Sequence, residues 1–183
     1  MYYALIYYTH LNSEALNQFR RKYDPWVELI EDHIGFIFPV SDTIELDDLV
    51  NHINTIIRDK KAFDIHISGL VKSWDHFLLL TVKEGNNNII ELYDEFYTGL
   101  LAPYRRDEID FIPHIGLGLF VEKEDYEVLE PKVLPLDEEK FNMAYEEAQK
   151  LNFDFWRRVE KLSLIKLKAD LSEYWDIKEF RLH

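Results

Sequence analysis

The sequence predicts an α+β protein: two related lobes of mainly antiparallel sheet, with helices outside them and a central cleft between. Three observations predict it. First, His33-Ile34-Gly35-Phe36-Ile37-Phe38 and His114-Ile115-Gly116-Leu117-Gly118-Leu119-Phe120 are two versions of one segment, set 81 residues apart. Each is preceded by a strand-like and a helix-like stretch and followed by another helix, the mark of an internal repeat. Second, strand and helix periodicities alternate along the chain, but the strands read at 63–68 and 77–82 are close enough to be hairpin neighbours, which argues against an all-parallel sheet. Third, 47% of the 183 residues are hydrophobic and 15% aromatic, enough to fill a core in one domain spanning 1–183.

Tyr2 to Tyr8 is aromatic and β-branched and reads as a buried strand. Asn12 or Ser13 can cap a helix with Leu16, Phe19 and Tyr23 on its apolar face, and Pro25 ends it. The first histidine strand closes at Pro39. Asp42 and Glu45 have the spacing of a capping box for a helix with the stripe Leu46, Leu49, Val50, Ile53 and Ile57, and His52 on its flank is expected to meet solvent. Phe63 to Ser68 alternates with Phe63, Ile65 and Ile67 inward, Gly69 follows, and a connection with Lys72 and Trp74 leads to a strand over 77–82. Gly85 and three asparagines turn the chain into a helix presenting Ile89, Tyr93, Phe96, Tyr97 and Leu100. The second histidine strand follows Pro113. Beyond Glu122 the chain is acidic, Pro131 and Pro135 mark a loop, and Asp137-Glu138-Glu139 suit the start of a helix carrying Phe141, Tyr145 and Ala148. Val159 to Lys168 reads as a strand whose alternation slips between Leu164 and Ile165, as at a bulge, and Trp175 to Leu182 as a final edge strand.

Composition excludes several function classes. A formal charge of −14, from 35 acidic and 21 basic residues, opposes docking on duplex DNA or an anionic membrane, while a small phosphorylated ligand in a local pocket stays compatible. The chain has no cysteine, hence no disulfide or thiolate chemistry. Residues 1–8 lack a basic, signal-like start, and no run approaches a membrane span. A soluble cytoplasmic protein, taken as a monomer, is the expectation. No His, Asp and Glu set has metal-ligand spacing, so neither metal nor cofactor is expected.

In a strand, His114, Gly116 and Gly118 share one face while Ile115, Leu117 and Leu119 occupy the other; His33 and Gly35 likewise oppose Ile34, Phe36 and Phe38. Each histidine therefore stands beside a floor stripped of side chains, as a shallow pocket needs. An imidazole titrates near neutrality, so two of them can divide the labour of general base and general acid.

Two histidine motifs about 80 residues apart, the first running into Phe38-Pro39 and the second introduced by Pro113, resemble those of the two-histidine (2H) phosphoesterase superfamily, which includes 2′-5′ RNA ligase-like proteins and cyclic nucleotide phosphodiesterases. Asp24-Pro25, the strand from Phe63 to Gly69 and the closing segment from Trp175 to Leu182 extend the likeness over nearly the whole chain. The resemblance implies His33 and His114 as catalytic residues facing one phosphodiester across the cleft. It implies a metal-independent phosphoesterase acting on a small cyclic phosphate or a 2′-5′-linked nucleotide, RNA ends included. The family's motif is His-x-Thr or His-x-Ser, whereas this chain has Gly35 and Gly116 at the hydroxyl positions. Losing one such donor typically slows a reaction by about 100-fold or more. Strand N–H groups, Ser68, a tyrosine hydroxyl or Lys72 are the candidate replacements, and Gly35, Gly116, Gly118 and Ser68 are the expected substrate-binding positions. The alternative is a nucleotide- or phosphate-binding module that keeps the cleft and has lost turnover.

The remaining charged and histidine positions have plainer readings. His66-x-Ser68 spells the family motif but sits in the strand between the two repeats and reads as a polar strand face. Arg20-Arg21-Lys22 and Arg105-Arg106 read as solvated helix and loop ends. His10, His76 and His183 carry no signal.

Overall fold

Along the opening strand Tyr3, Leu5 and Tyr7 alternate with Ala4 and Ile6, and both sets are buried, so this strand is covered on two faces and sits inside a sheet. The computed structural model describes residues 1–73, 76–107, 110–121 and 134–183. The elements run β1 (Tyr2–Tyr8), α1 (Glu14–Tyr23), β2 (His33–Ser41), α2 (Leu46–Ile57), β3 (Phe63–Lys72), β4 (Phe77–Glu84), α3 (Asn86–Phe96), a 3₁₀ helix (Gly99–Tyr104), β5 (His114–Leu119), α4 (Glu138–Leu151), β6 (Asp154–Val159), β7 (Lys161–Leu167) and β8 (Tyr174–Arg181). Trp74, Glu122 and Pro131, singled out in the sequence, lie outside the described residues.

The strands form two four-stranded antiparallel sheets, β2-β1-β7-β8 and β5-β4-β3-β6. Each histidine strand is an edge, and the two edges touch. The repeat is visible as β1-α1-β2-α2 and β4-α3-β5-α4. The lobes are interleaved in sequence, because β3 completes the second sheet while β7 and β8 complete the first. The helices also cross over: α1 packs on β5 and α3 on β2.

Local chemistry sets the boundaries. Ser13 accepts the Leu16 N–H at 3.3 Å to open α1, and Asp137 accepts the Lys140 N–H at 3.0 Å to open α4. At α2 the predicted capping box is absent: Glu45 is the N-cap residue without a side-chain bond, and Asp42 instead pairs with the N-terminal amine at 3.6 Å and Lys166 at 3.1 Å. His52 is drawn in rather than solvated, its Nε2 lying 2.8 Å from the Phe96 carbonyl that it satisfies at the end of α3. Gly69 does not end β3. It sits within the strand at φ 98°, where the register slips between Ile67 and Leu70, a bulge only glycine enters easily.

The strand read from Val159 to Lys168 is β7, which starts at Lys161, and a further strand, β6, ends at Val159 just before it. β6 escapes a sequence reading because Asp154 to Arg158 is an edge with polar and aromatic residues and no apolar period. The slip between Leu164 and Ile165 is present in the β7–β8 pairing, and β8 is an edge strand.

Candidate active site

The site is assembled from the first residues of β2 and β5. His33 lies across from Tyr8 of β1, and His114 across from Thr81 of β4. Each strand skips register three residues past its histidine: the pairing passes from Gly35 to Ile37, leaving out Phe36, and from Gly116 to Gly118, leaving out Leu117. Each of these twin bulges re-aims the side chains beyond it. Thus Ile34 and Phe36 stay in the core as expected, but Phe38 turns to the cleft.

The histidines are also held alike. Nδ1 of His33 donates to the Glu31 carbonyl at 2.8 Å, and Nδ1 of His114 donates to the Ile112 carbonyl at 2.5 Å, in each case two residues upstream. A carbonyl can only accept, so both rings carry their neutral-form proton on Nδ1 and Nε2 is the basic nitrogen.

Both histidines line one cavity of about 580 Å³, within the range of small-molecule sites. Burial in this cavity lowers the pKa of His33 below its ordinary value. The Glu31 carbonyl and Asp24 oppose the shift, while the charges of Arg20 and His114 add to it.

Positive charge comes from three directions. Arg20 is only 3% exposed and is tied to Asp24 at 2.7 Å and to the Ile30 carbonyl at 3.1 Å, so its charge is largely matched. Lys72 stands at the rim, 5.0 Å from the centres of the Phe141 and Tyr145 rings and bonded to Asn142. Arg106 lies over the Phe38 ring at 5.8 Å. Trp26, stacked on Phe77 with centroids 6.2 Å apart, forms an aromatic wall.

The cavity gathers most of the positions that the sequence singled out. His33, His114, Gly35, Gly116 and Gly118 all border it, and Ser68 does not. Ser68 faces Asp154 of β6 in the sheet, and its carbonyl receives the Thr81 hydroxyl at 3.3 Å. Its motif partner His66 stacks on Trp156 at 4.6 Å and bonds Asp154 at 3.1 Å, so this strand face is structural, as its plainer reading held. The glycines differ among themselves. A Cβ on Gly116 would meet nothing within 4 Å, and one on Gly35 only the Phe38 ring at 3.8 Å, whereas one on Gly118 would lie 2.7 Å from Tyr23 Cβ. Gly118 is bare so that α1 can approach β5.

By sequence alone Arg20 and Arg106 read as solvated ends, and Trp26 is not singled out for the site. None carries a local signal, because loops and helix ends that bring them to the cavity are positioned by the opposite lobe. Among the described residues no three His, Asp or Glu side chains converge as a metal site would need, and no described helix is long and apolar enough to cross a membrane.

Comparison with known proteins bears on the family and the fold. A Bacillus cereus (strain B4264) protein, named provisionally as a phosphoesterase, is 29% identical over 117 residues, 62% of this chain and 66% of that protein, just under two thirds of its length. Among solved structures, ligand-free E. coli LigT superposes with a TM-score of 0.61 at 17% identity, covering 99% of this chain and 95% of LigT. LigT complexed with 3′-AMP gives 0.59 at 16% over 100% and 99%. TT0787 of Thermus thermophilus gives 0.64 at 15% over 100% and 98%. At such identities the likeness is one of fold. The sequence model of the 2′-5′ RNA ligase superfamily, however, matches residues 9–171, and with both histidine strands inside that span the chain belongs to this superfamily.

Proposed function

We propose that the protein cleaves a small phosphodiester, either a 2′,3′-cyclic phosphate or a 2′-5′-linked nucleotide, without a metal, using His33 and His114 as a general acid–base pair. The observation that carries this reading is the twin presentation of the two imidazoles: equivalent strand positions, the same Nδ1-to-carbonyl tether and one shared cavity. His33, held neutral by burial, is the base that takes a proton from the attacking water or ribose hydroxyl. His114 gives a proton to the departing oxygen, and attack and departure lie in line across phosphorus. Arg106 and Lys72 supply the positive charge that the phosphoryl oxygens need in place of the missing hydroxyls. A nucleotide-sized ligand is supported by the size of the cavity and by LigT, whose structures include complexes with 3′-AMP and ATP.

A second reading, a binding module without turnover, is favoured by one specific observation: Gly35 and Gly116 leave open space where the family's hydroxyls stand. One assay separates the two. Turnover of a panel of 2′,3′-cyclic nucleotides and 2′-5′ dinucleotides, with and without chelator, should be chelator-insensitive and fall at least 100-fold in His33→Ala and in His114→Ala. Binding without turnover would establish the module, and activity abolished by chelator would end the metal-free mechanism.

A further inference from the structure

The tether of His33 ends on the Glu31 carbonyl, and the residue between the two is Asp32, an acid only 7% exposed. Asp32 does not border the cavity. Its bonds go instead to the loop that leaves β1. The carboxylate accepts the Thr9 hydroxyl and, at 3.0 Å, the Leu11 N–H, while the Asp32 carbonyl accepts the Thr9 N–H at 2.9 Å. A buried carboxylate costs free energy unless donors compensate it, and here the loop supplies them.

The other side of the same loop is held from the opposite sheet. Arg157 of β6 donates Nε to the Thr9 carbonyl at 3.0 Å, and Nη2 to the carbonyls of His10 at 3.2 Å and Leu11 at 2.9 Å. Three successive carbonyls thus converge on one guanidinium, whose rigid fork of donors suits them better than a single ammonium would. The turn needs such support. His10 at φ 43° and Asn12 at φ 50° both lie in the left-handed region, a conformation that persists where the surroundings fix it. Glu31 is tied to the loop as well, its carboxylate 3.1 Å from His10 Nδ1. Because β6 and β5 are the two edges of one sheet, Arg157 also anchors the loop beside His33 to the lobe that carries His114.

We propose that Asp32 and Arg157 are positioning residues for His33: they grip the loop over residues 9–12 from its two sides, and the loop fixes the Glu31 carbonyl that holds the Nδ1 proton and leaves Nε2 to the substrate. This rests on the phosphoesterase reading, in which His33 is the base. Neither residue borders the cavity, so their effect is one of orientation. A reacting group displaced by about 1 Å can lose on the order of 100-fold in rate.

The test compares Asp32→Asn, Arg157→Ala and Arg157→Lys with the parent, each as the full chain with its circular dichroism checked, on 2′,3′-cyclic nucleotides and 2′-5′ dinucleotides. In Asp32→Asn and Arg157→Ala kcat should fall by about 10- to 100-fold with KM within about twofold, and Arg157→Lys should recover part of the loss. The imidazole nitrogen NMR signals of both histidines supply a readout that a merely structural role would not move. Those of His33 should pass from the Nδ1-protonated form to a mixture of tautomers, while those of His114 stay as in the parent. A His33 that keeps its parental form, equal changes at both histidines, or a parental kcat in the folded variants would each overturn the proposal. If Arg157→Ala does not fold, Asp32→Asn, which keeps the side-chain volume, and Arg157→Lys, which keeps the charge, decide it. If the parent turns over none of the substrates, the phosphoesterase reading fails, and the tautomer of His33 in the same variants then decides the positioning role alone.

Discussion

His33 combines a proton tether on one ring nitrogen with burial that disfavours the charged ring, a combination that keeps a base ready at neutral pH. Its titration, followed by the imidazole NMR signals, should have a midpoint below the ordinary value of about 6.5. A base works when neutral, so the acid limb of kcat/KM, the one His33 sets, should fall as pH drops through a value below about 6.5. The unfolded chain binds this proton more readily, so stability contributed here is present above about 6.5 and lost as pH falls through the folded value. A midpoint at or above the ordinary value would remove His33 as the base. At Gly35 and Gly116 the cavity has room for side chains. Gly35→Thr/Gly116→Thr should therefore fold and raise 2′,3′-cyclic nucleotide hydrolysis by about 10-fold or more, the low end of what such donors contribute. A folded double variant that, like the parent, turns over nothing would count against phosphodiester chemistry at this site.

At the scale of elements, the two histidine strands are alike in a feature that residue letters do not show, the register skip three positions past each histidine. Within β5 this leaves two glycines with opposite duties. Gly116 faces open space and Gly118 faces α1. Gly116→Ala should be neutral or stabilising by up to ~1 kcal/mol, since it narrows the unfolded ensemble. Gly118→Ala should destabilise by roughly 1–3 kcal/mol, because the Tyr23 backbone must retreat to admit the methyl. Urea unfolding of the pair gives the comparison directly, and equal midpoints would show that α1 yields where β5 needs it. Strands buried on one or both faces, such as β1 and β4, were legible from periodicity. β6 was not, because an edge strand facing water has no need of the apolar alternation by which strands are read.

At the scale of the whole molecule, neither lobe is a contiguous half of the chain. β1 is paired on one side by β2 and on the other by β7, more than 150 residues away. Residues 1–73 expressed alone lack that partner, and β3 lacks its own sheet, so the fragment should show an unfolded far-UV spectrum. The full chain should unfold in one transition that is coincident by tryptophan fluorescence and circular dichroism. A fragment that folds cooperatively would contradict this interdependence. By itself, the sequence determined the α+β class, the order of most elements, the pair of histidines and the glycines beside them, because strand alternation, caps and repeats are local and leave a period in the letters. Only the tertiary structure decided that Arg20 and Arg106 reach the cavity and Ser68 does not, that Gly118 serves packing, and that Arg157 of β6 holds the loop beside His33. Those outcomes depend on which strands become neighbours and which lobe each helix packs against, and such long-range pairings have no period for a local pattern to record.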